Sequence, residues 1–136
     1  MNYVYDSSFV GALVIPDEKN PKVDKIHKST NENDALNVPQ LFWYELANIF
    51  NNLIRRKRFT YERVLQFFPF VNSIRLITDF EYDVNYSQKI FRLCNDYSLS
   101  SYDTVYLELA ERKKAVLCTL DVNLKNAAKK HGVAVI

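Results

Sequence analysis

Glycine is nearly missing from this chain, with two in 136 residues, and there are only four prolines. Collagen-like repeats, flexible linkers and long disordered tracts need far more of both. Cysteine is also scarce. Cys94 and Cys118 lie far apart in apolar patterns, without the spacing of a metal site. They read as free, buried thiols of a reducing compartment. No run approaches the roughly 20 apolar residues that cross a bilayer, so no membrane association is expected. The first residues lack the basic-then-apolar pattern of a secretory signal, which makes a cytoplasmic location the expectation. The net charge of +2 is too small to announce a polyanion binder through bulk electrostatics.

What is present is an ordinary balance, 48% apolar and 25% charged. That is enough for a sizeable core in one domain spanning residues 1–136. Short apolar runs alternate with helical periodicity, and no internal repeat interrupts them. "NYVYD", "DALNVP", "SIRLIT", "AVLCTLD" and "VAVI" read as strands. Between them, "QLFWYELANIFNNLIRRKR" repeats apolar residues every three or four positions. A second helix capped by Thr60 would form a hairpin with it, tipped by Arg55, Arg56, Lys57 and Arg58. The helix after "SIRLIT" is expected to turn Val84, Ile90, Phe91 and Cys94 inward. The next, capped by Ser100 or Ser101, groups Tyr102, Val105, Tyr106 and Leu109 on one face. Gly132 stops the last helix. Strands apolar on both faces belong to parallel sheets covered by helices on both sides. The expected class is therefore α/β.

Ligand sites of open parallel sheets lie beyond the carboxyl ends of the strands. Asp6 ends the first strand and Asp121 follows the strand that begins near Ala115. Glu45 falls early in the helix after the second strand, and Asp103 in the first turn of the helix before the Asp121 strand. Topology thus sends four distant acids to one rim. Two carboxylates 4 Å apart repel by ~4 kcal/mol at an effective dielectric near 20, so such a rim calls for protons or a cation. An all-oxygen set suits Mg²⁺ or Mn²⁺, and neither His27 nor His131 joins it to favour zinc. The implied chemistry is phosphodiester hydrolysis by a metal-activated water. Asp6, Asp103 and Asp121 are then the main metal ligands, with Glu45 an outer ligand or the group that orients water. Each acid taken singly is equally readable as a surface charge or a helix cap.

In order along the chain, "YVYDSS", "VPQLFWYELANIF", "LSSYDTVYLELA" and "LCTLDVNLKNAAKKHGV" resemble the acidic motifs of the PIN domain, nearest to toxin ribonucleases of the VapC type. The resemblance covers almost the whole chain. It implies a three-layer α/β/α sandwich around a parallel five-stranded sheet, with Mg²⁺- or Mn²⁺-dependent endoribonuclease activity. It also implies a homodimer and a small antitoxin whose C-terminal segment crosses the active site. By the same resemblance Thr119 and Ser8 would stand beside the metal. Asn123 takes a place where some relatives carry a further acid. The basic block Arg55, Arg56, Lys57 and Arg58 would then track an RNA backbone, and Trp43, Tyr44 and Tyr102 would be available to stack on unpaired bases. Three rivals stand beside this reading: a metal-dependent phosphatase, an inactive RNA-binding scaffold, and a nuclease for RNA maturation or single-stranded DNA. The phosphatase lacks a second Asp two positions after Asp6, where Ser8 stands.

Overall fold

A computed structural model describes residues 1–136. Strands β1 (Asn2–Tyr5), β2 (Ala35–Pro39), β3 (Ile77–Asp79) and β4 (Val116–Cys118) form one parallel sheet in the order β3-β2-β1-β4. Successive strand residues point to opposite faces. Tyr3, Val4 and Tyr5 are all buried, as are Leu36, Asn37 and Val38, so both faces of the central strands are covered. The helices that cover them are α1 (Ser7–Val14), α2 (Pro21–Ser29), α3 (Leu41–Arg55), α4 (Tyr61–Leu65), α5 (Phe68–Ser73), α6 (Val84–Tyr97), α7 (Ser101–Lys113) and α8 (Val122–His131). Helix α7 packs on β1, β2 and β4, while α1 packs on α3 and α5.

The sheet has four strands where five were expected. Residues 133–136 do run beside β4. Leu117 donates to the Ala134 carbonyl at 2.8 Å, and Ile136 to the Leu117 carbonyl at 2.9 Å. Only one bridge forms, Leu117 to Val135, which is too little pairing for a strand. The third strand is also shorter than residues 73–78. Helix α5 runs on through Ser73, and Arg75 turns the chain with a φ of 58°, so pairing starts only at Ile77.

Local chemistry explains the helix ends. Asp6, Asn20, Thr60, Asp83, Ser100 and Asp121 each cap a helix by accepting a backbone N–H. Gly132 ends α8 in the left-handed conformation, φ 82°. Elsewhere the glycine-poor chain uses Ser98 and Lys114 for the same turn, at some steric cost. On α3, Phe42, Leu46, Phe50 and Leu53 are the buried stripe, each side chain contributing about 1.5–3 kcal/mol of apolar burial. Phe50 meets Phe67 and Phe68 edge-on, which closes the helical hairpin. On α6 the inward residues are Ile90 and Leu93, while Val84 and Phe91 are exposed, against expectation. Both cysteines are free, with Cys118 buried and Cys94 only half-buried.

Candidate active site

Parallel pairing sets the site. Tyr5 pairs with Cys118, and the Asp6 N–H extends the ladder by donating to the Cys118 carbonyl at 3.1 Å. Asp6 and Thr119 are therefore neighbours just past the strand ends. Asp6 is 5% exposed. Its Oδ1 accepts from the Phe9 N–H at 2.8 Å and the Ser8 hydroxyl at 2.7 Å. Its Oδ2 accepts from the Thr119 hydroxyl. Both hydroxyls are also acceptors. Ser8 Oγ takes the Leu120 N–H at 3.0 Å, and Thr119 Oγ1 takes the Asp121 N–H at 3.0 Å. Ser8 and Thr119 thus tie Asp6 to the turn that carries Asp121. Asp121 caps α8 through Oδ1, which accepts from the Leu124 N–H at 2.7 Å.

The other two acids come from helices. Asp103 lies in the first turn of α7, and its N–H donates to the Ser100 hydroxyl at 3.2 Å. Glu45, in α3, accepts from the hydroxyl of Tyr106 on α7. The tyrosine was read from the sequence as one more apolar face residue. The signal that identifies it is burial: a tyrosine at a core position needs a partner for its hydroxyl.

The four acids share one electrostatic neighbourhood. Burial pushes the Asp6 carboxyl above its ordinary range, against the bonds from Thr119, Ser8 and Phe9, and the Asp121 charge pushes it further. Burial likewise raises Glu45, against the Tyr106 and Ser7 hydroxyls, with the Asp6 and Asp103 charges adding to the rise. Asp103 is raised by burial and by Asp121, with Ser100 opposing. Yet Asp6, Glu45, Asp103 and Asp121 do not form a closed ligand sphere. No three acidic, histidine or cysteine side chains stand close enough together to hold an ion. Asp6, Glu45 and Asp121 are each anchored to their own donors, Phe9, Ser8 and Thr119 for Asp6, Tyr106 for Glu45 and the Leu124 N–H for Asp121.

By chemical type, though not by spacing, the four acids suit a hard divalent cation. None of the four acids has a Lys, Arg or His partner among the ion pairs. Nitrogen and sulfur ligands are out of play. His27 bonds the Tyr5 hydroxyl at 3.2 Å, His131 bonds Tyr97 at 2.7 Å, and burial pushes the Cys118 thiol up to about 12. Carboxylate oxygens without cationic partners match the preference of Mg²⁺ or Mn²⁺.

At the far end of α3 from Glu45, Arg55, Arg56 and Lys57 are exposed and make no ion pair. Arg58 is taken up by Asp17, with Nε 3.0 Å from Oδ2, and by Glu18 at 3.3 Å. Tyr44 and Tyr102, beside Glu45 and Asp103, are exposed. Trp43 is fixed instead, donating to the Thr78 hydroxyl at 2.9 Å and meeting Phe42 edge-on.

Residues 3–130 match the PIN domain family. No curated protein matches the sequence. Among solved structures, the chain is similar to PAE2754 from Pyrobaculum aerophilum, at 23% identity over 99% of this chain and 89% of that one, TM-score 0.73. It is similar to VapBC2 from Rickettsia felis, solved bound to a DNA fragment from their promoter, at 11% identity over 100% and 98% of the two chains, TM-score 0.70. It is also similar to VapBC-1 from nontypeable Haemophilus influenzae, at 15% identity over 100% and 97%, TM-score 0.70. Likenesses at these identities speak for the fold.

Proposed function

The chain belongs to the PIN domain family, and on that footing we propose that it is a divalent-metal-dependent endoribonuclease, the toxin of a toxin–antitoxin pair. PIN domains are generally nucleases. The observation that carries the reading here is the set of cation-free carboxylates, Asp6 most deeply buried, gathered beyond the strand ends. An acid group of this kind is costly to the apo fold and useful to a cation site.

A bound Mg²⁺ or Mn²⁺ would activate water and stabilise charge on the phosphate oxygens. Asp6, Asp103 and Asp121 would hold it. Ser8, Thr119 and the Phe9 N–H would hold Asp6 in a fixed orientation. Glu45 stands back on α3, suited to hold a water or an outer coordination site. Tyr44 and Tyr102 offer exposed rings beside two of the acids, suited to unpaired bases. Arg55, Arg56 and Lys57 offer free charge for the RNA backbone, whereas Arg58 is already engaged.

The partner reading draws on the VapBC structures, which hold two kinds of chain by name. A small antitoxin would cover the rim. A homodimer would cover the exposed apolar residues Ile77, Phe80, Val84 and Phe91 along the β3–α6 side.

The deciding experiment is cleavage of cellular RNA with Mn²⁺, with EDTA, and with the Asp6→Asn protein, alongside calorimetric Mn²⁺ titration of both proteins. The expected result is cleavage only by wild-type protein with Mn²⁺, and Mn²⁺ binding lost in Asp6→Asn. A wild-type protein that binds Mn²⁺ but leaves RNA intact would move the assignment to another phosphoester. One that binds no Mn²⁺ would leave a nuclease fold without its chemistry.

A further inference from the structure

We propose that Tyr106 is a positioning residue of this site: its hydroxyl fixes which oxygen of Glu45 faces the reaction. The proposal rests on the nuclease reading above and deepens it.

Tyr106 and Asp103 are three residues apart on α7, which places them one above the other on the same helical face. Asp103 opens to the rim, and Tyr106 lies below it in the core, 2% exposed. A phenol at that depth must place its O–H on a protein acceptor. The acceptor is Oε2 of Glu45, 61 positions away in sequence and on a different helix. The Ser7 hydroxyl, next in chain to Asp6, lies beside both groups. One tyrosine therefore joins the first turn of α1, the acid of α3 and the helix that carries Asp103.

The physical need for this is specific to Glu45. Asp6, Asp103 and Asp121 sit on short stems at helix starts, and local caps orient two of them. Glu45 has one more torsion, sits in the second turn of α3 rather than at a cap, and is repelled by Asp6 and Asp103. Left free, it gains rotamer entropy worth up to about 1.5–2 kcal/mol and lowers its repulsion by swinging toward solvent. A buried donor aimed at Oε2 opposes both tendencies. It also commits Oε2 to Tyr106 and so distinguishes it from Oε1. Phenylalanine would fill the same space without directing anything.

The test is Tyr106→Phe in the full chain, compared in the wild-type and Glu45→Ala backgrounds. In the wild-type background, kcat for RNA cleavage should fall about 10–100-fold, with KM for RNA within about twofold. Mn²⁺ affinity measured by calorimetry without RNA should fall about 10-fold, while far-UV circular dichroism stays unchanged. In the Glu45→Ala background, the same substitution should leave Mn²⁺ affinity unchanged, because the carboxylate that the hydroxyl orients is gone. Wild-type kcat and Mn²⁺ affinity in Tyr106→Phe would overturn the proposal alone. So would equal losses in both backgrounds, which would mark a packing role. Wild-type protein that neither binds Mn²⁺ nor cleaves RNA would overturn the nuclease reading, and this proposal with it.

Discussion

Helix α7 carries acids under two opposite treatments. Glu108, 1% exposed, accepts from Arg112 Nε at 2.8 Å and lies 3.3 Å from Lys89 Nζ. Arg112 reaches on to grip both oxygens of Asp79 at the end of β3, at 3.0 and 2.6 Å. Glu111 lies 3.2 Å from Lys89, and 3.1 Å from His131 Nε2 in an orientation that makes no hydrogen bond. Two turns earlier on the same helix, Asp103 feels the charges of Glu45 and Asp121 and has no cationic partner. The surroundings push the groups in opposite directions. Burial opposes ionisation of Asp79, but the Arg112 bond and charge, with help from Lys113, hold its carboxyl below the usual range. At the rim, burial is the largest influence and nothing cationic offsets it. This fold satisfies buried carboxylates with arginine and lysine where they serve as braces between α6, α7 and β3. Leaving the rim unsatisfied is therefore a local departure, and such departures cluster where a ligand supplies the missing charge.

The comparison predicts effects of opposite sign, and the larger belongs to the brace. Arg112→Met removes one partner of a buried network and strands Glu108 and Asp79. It should cost about 3–5 kcal/mol in denaturant unfolding. A loss under 1 kcal/mol would show that Lys89 and Lys113 carry the network without it, and the contrast between the two acid groups would weaken.

At the rim the same operation should stabilise. Asp6→Asn removes a buried charge with no counterion, so the metal-free protein should gain on the order of 1 kcal/mol at neutral pH. The pH dependence separates the regions further. The folded pKa of Asp6 is raised, so its contribution to stability is present below the ordinary carboxylate range and is lost as pH rises through the raised value. Asp79 is the reverse, since its folded pKa is lowered. Its contribution is present above the ordinary range and is lost as pH falls through the lowered value. In urea melts of the metal-free protein across pH, Asp6→Asn should flatten the decline on the high side and leave the acid side alone. A destabilised Asp6→Asn protein would mean that the Thr119, Ser8 and Phe9 bonds outweigh the buried charge.

The positions of the acids along the elements were legible in the sequence because they depend on little. Asp6 and Asp121 each follow a short apolar strand, and in a parallel sheet the strand ends share one edge whatever the register. Asp103 and Glu45 follow from helix starts and hydrophobic periodicity. What needed coordinates was distance across the fold. Arg112 and Asp79 are 33 positions apart, and no pattern pairs them. Tyr106 looks apolar until its hydroxyl is seen against Glu45. The inward face of α6 was misread at Val84 and Phe91, because apolar residues on both sides of that helix leave its orientation to the neighbours. The last strand failed for want of length, since four residues on a sheet edge form one bridge rather than a ladder.

The basic block repeats the contrast of satisfied and unsatisfied charge in the other sign, with the smallest expected effect. Arg55, Arg56 and Lys57 project freely from the end of α3, while Arg58 folds back onto Asp17 and Glu18. A cation already paired releases no counterion when RNA arrives, whereas a free one contributes about 0.7 to the slope of log affinity against log salt for a single strand. RNA binding, read by fluorescence anisotropy across salt concentrations on the Asp6→Asn protein so that no cleavage intervenes, should show a slope lowered by about that amount in Arg55→Ala. Arg58→Ala should leave the slope where it was. Equal slopes for both variants and their parent would take the hairpin tip out of the RNA path, and the guiding charge would then have to come from elsewhere, with Lys125, Lys129 and Lys130 on α8 the next set to test.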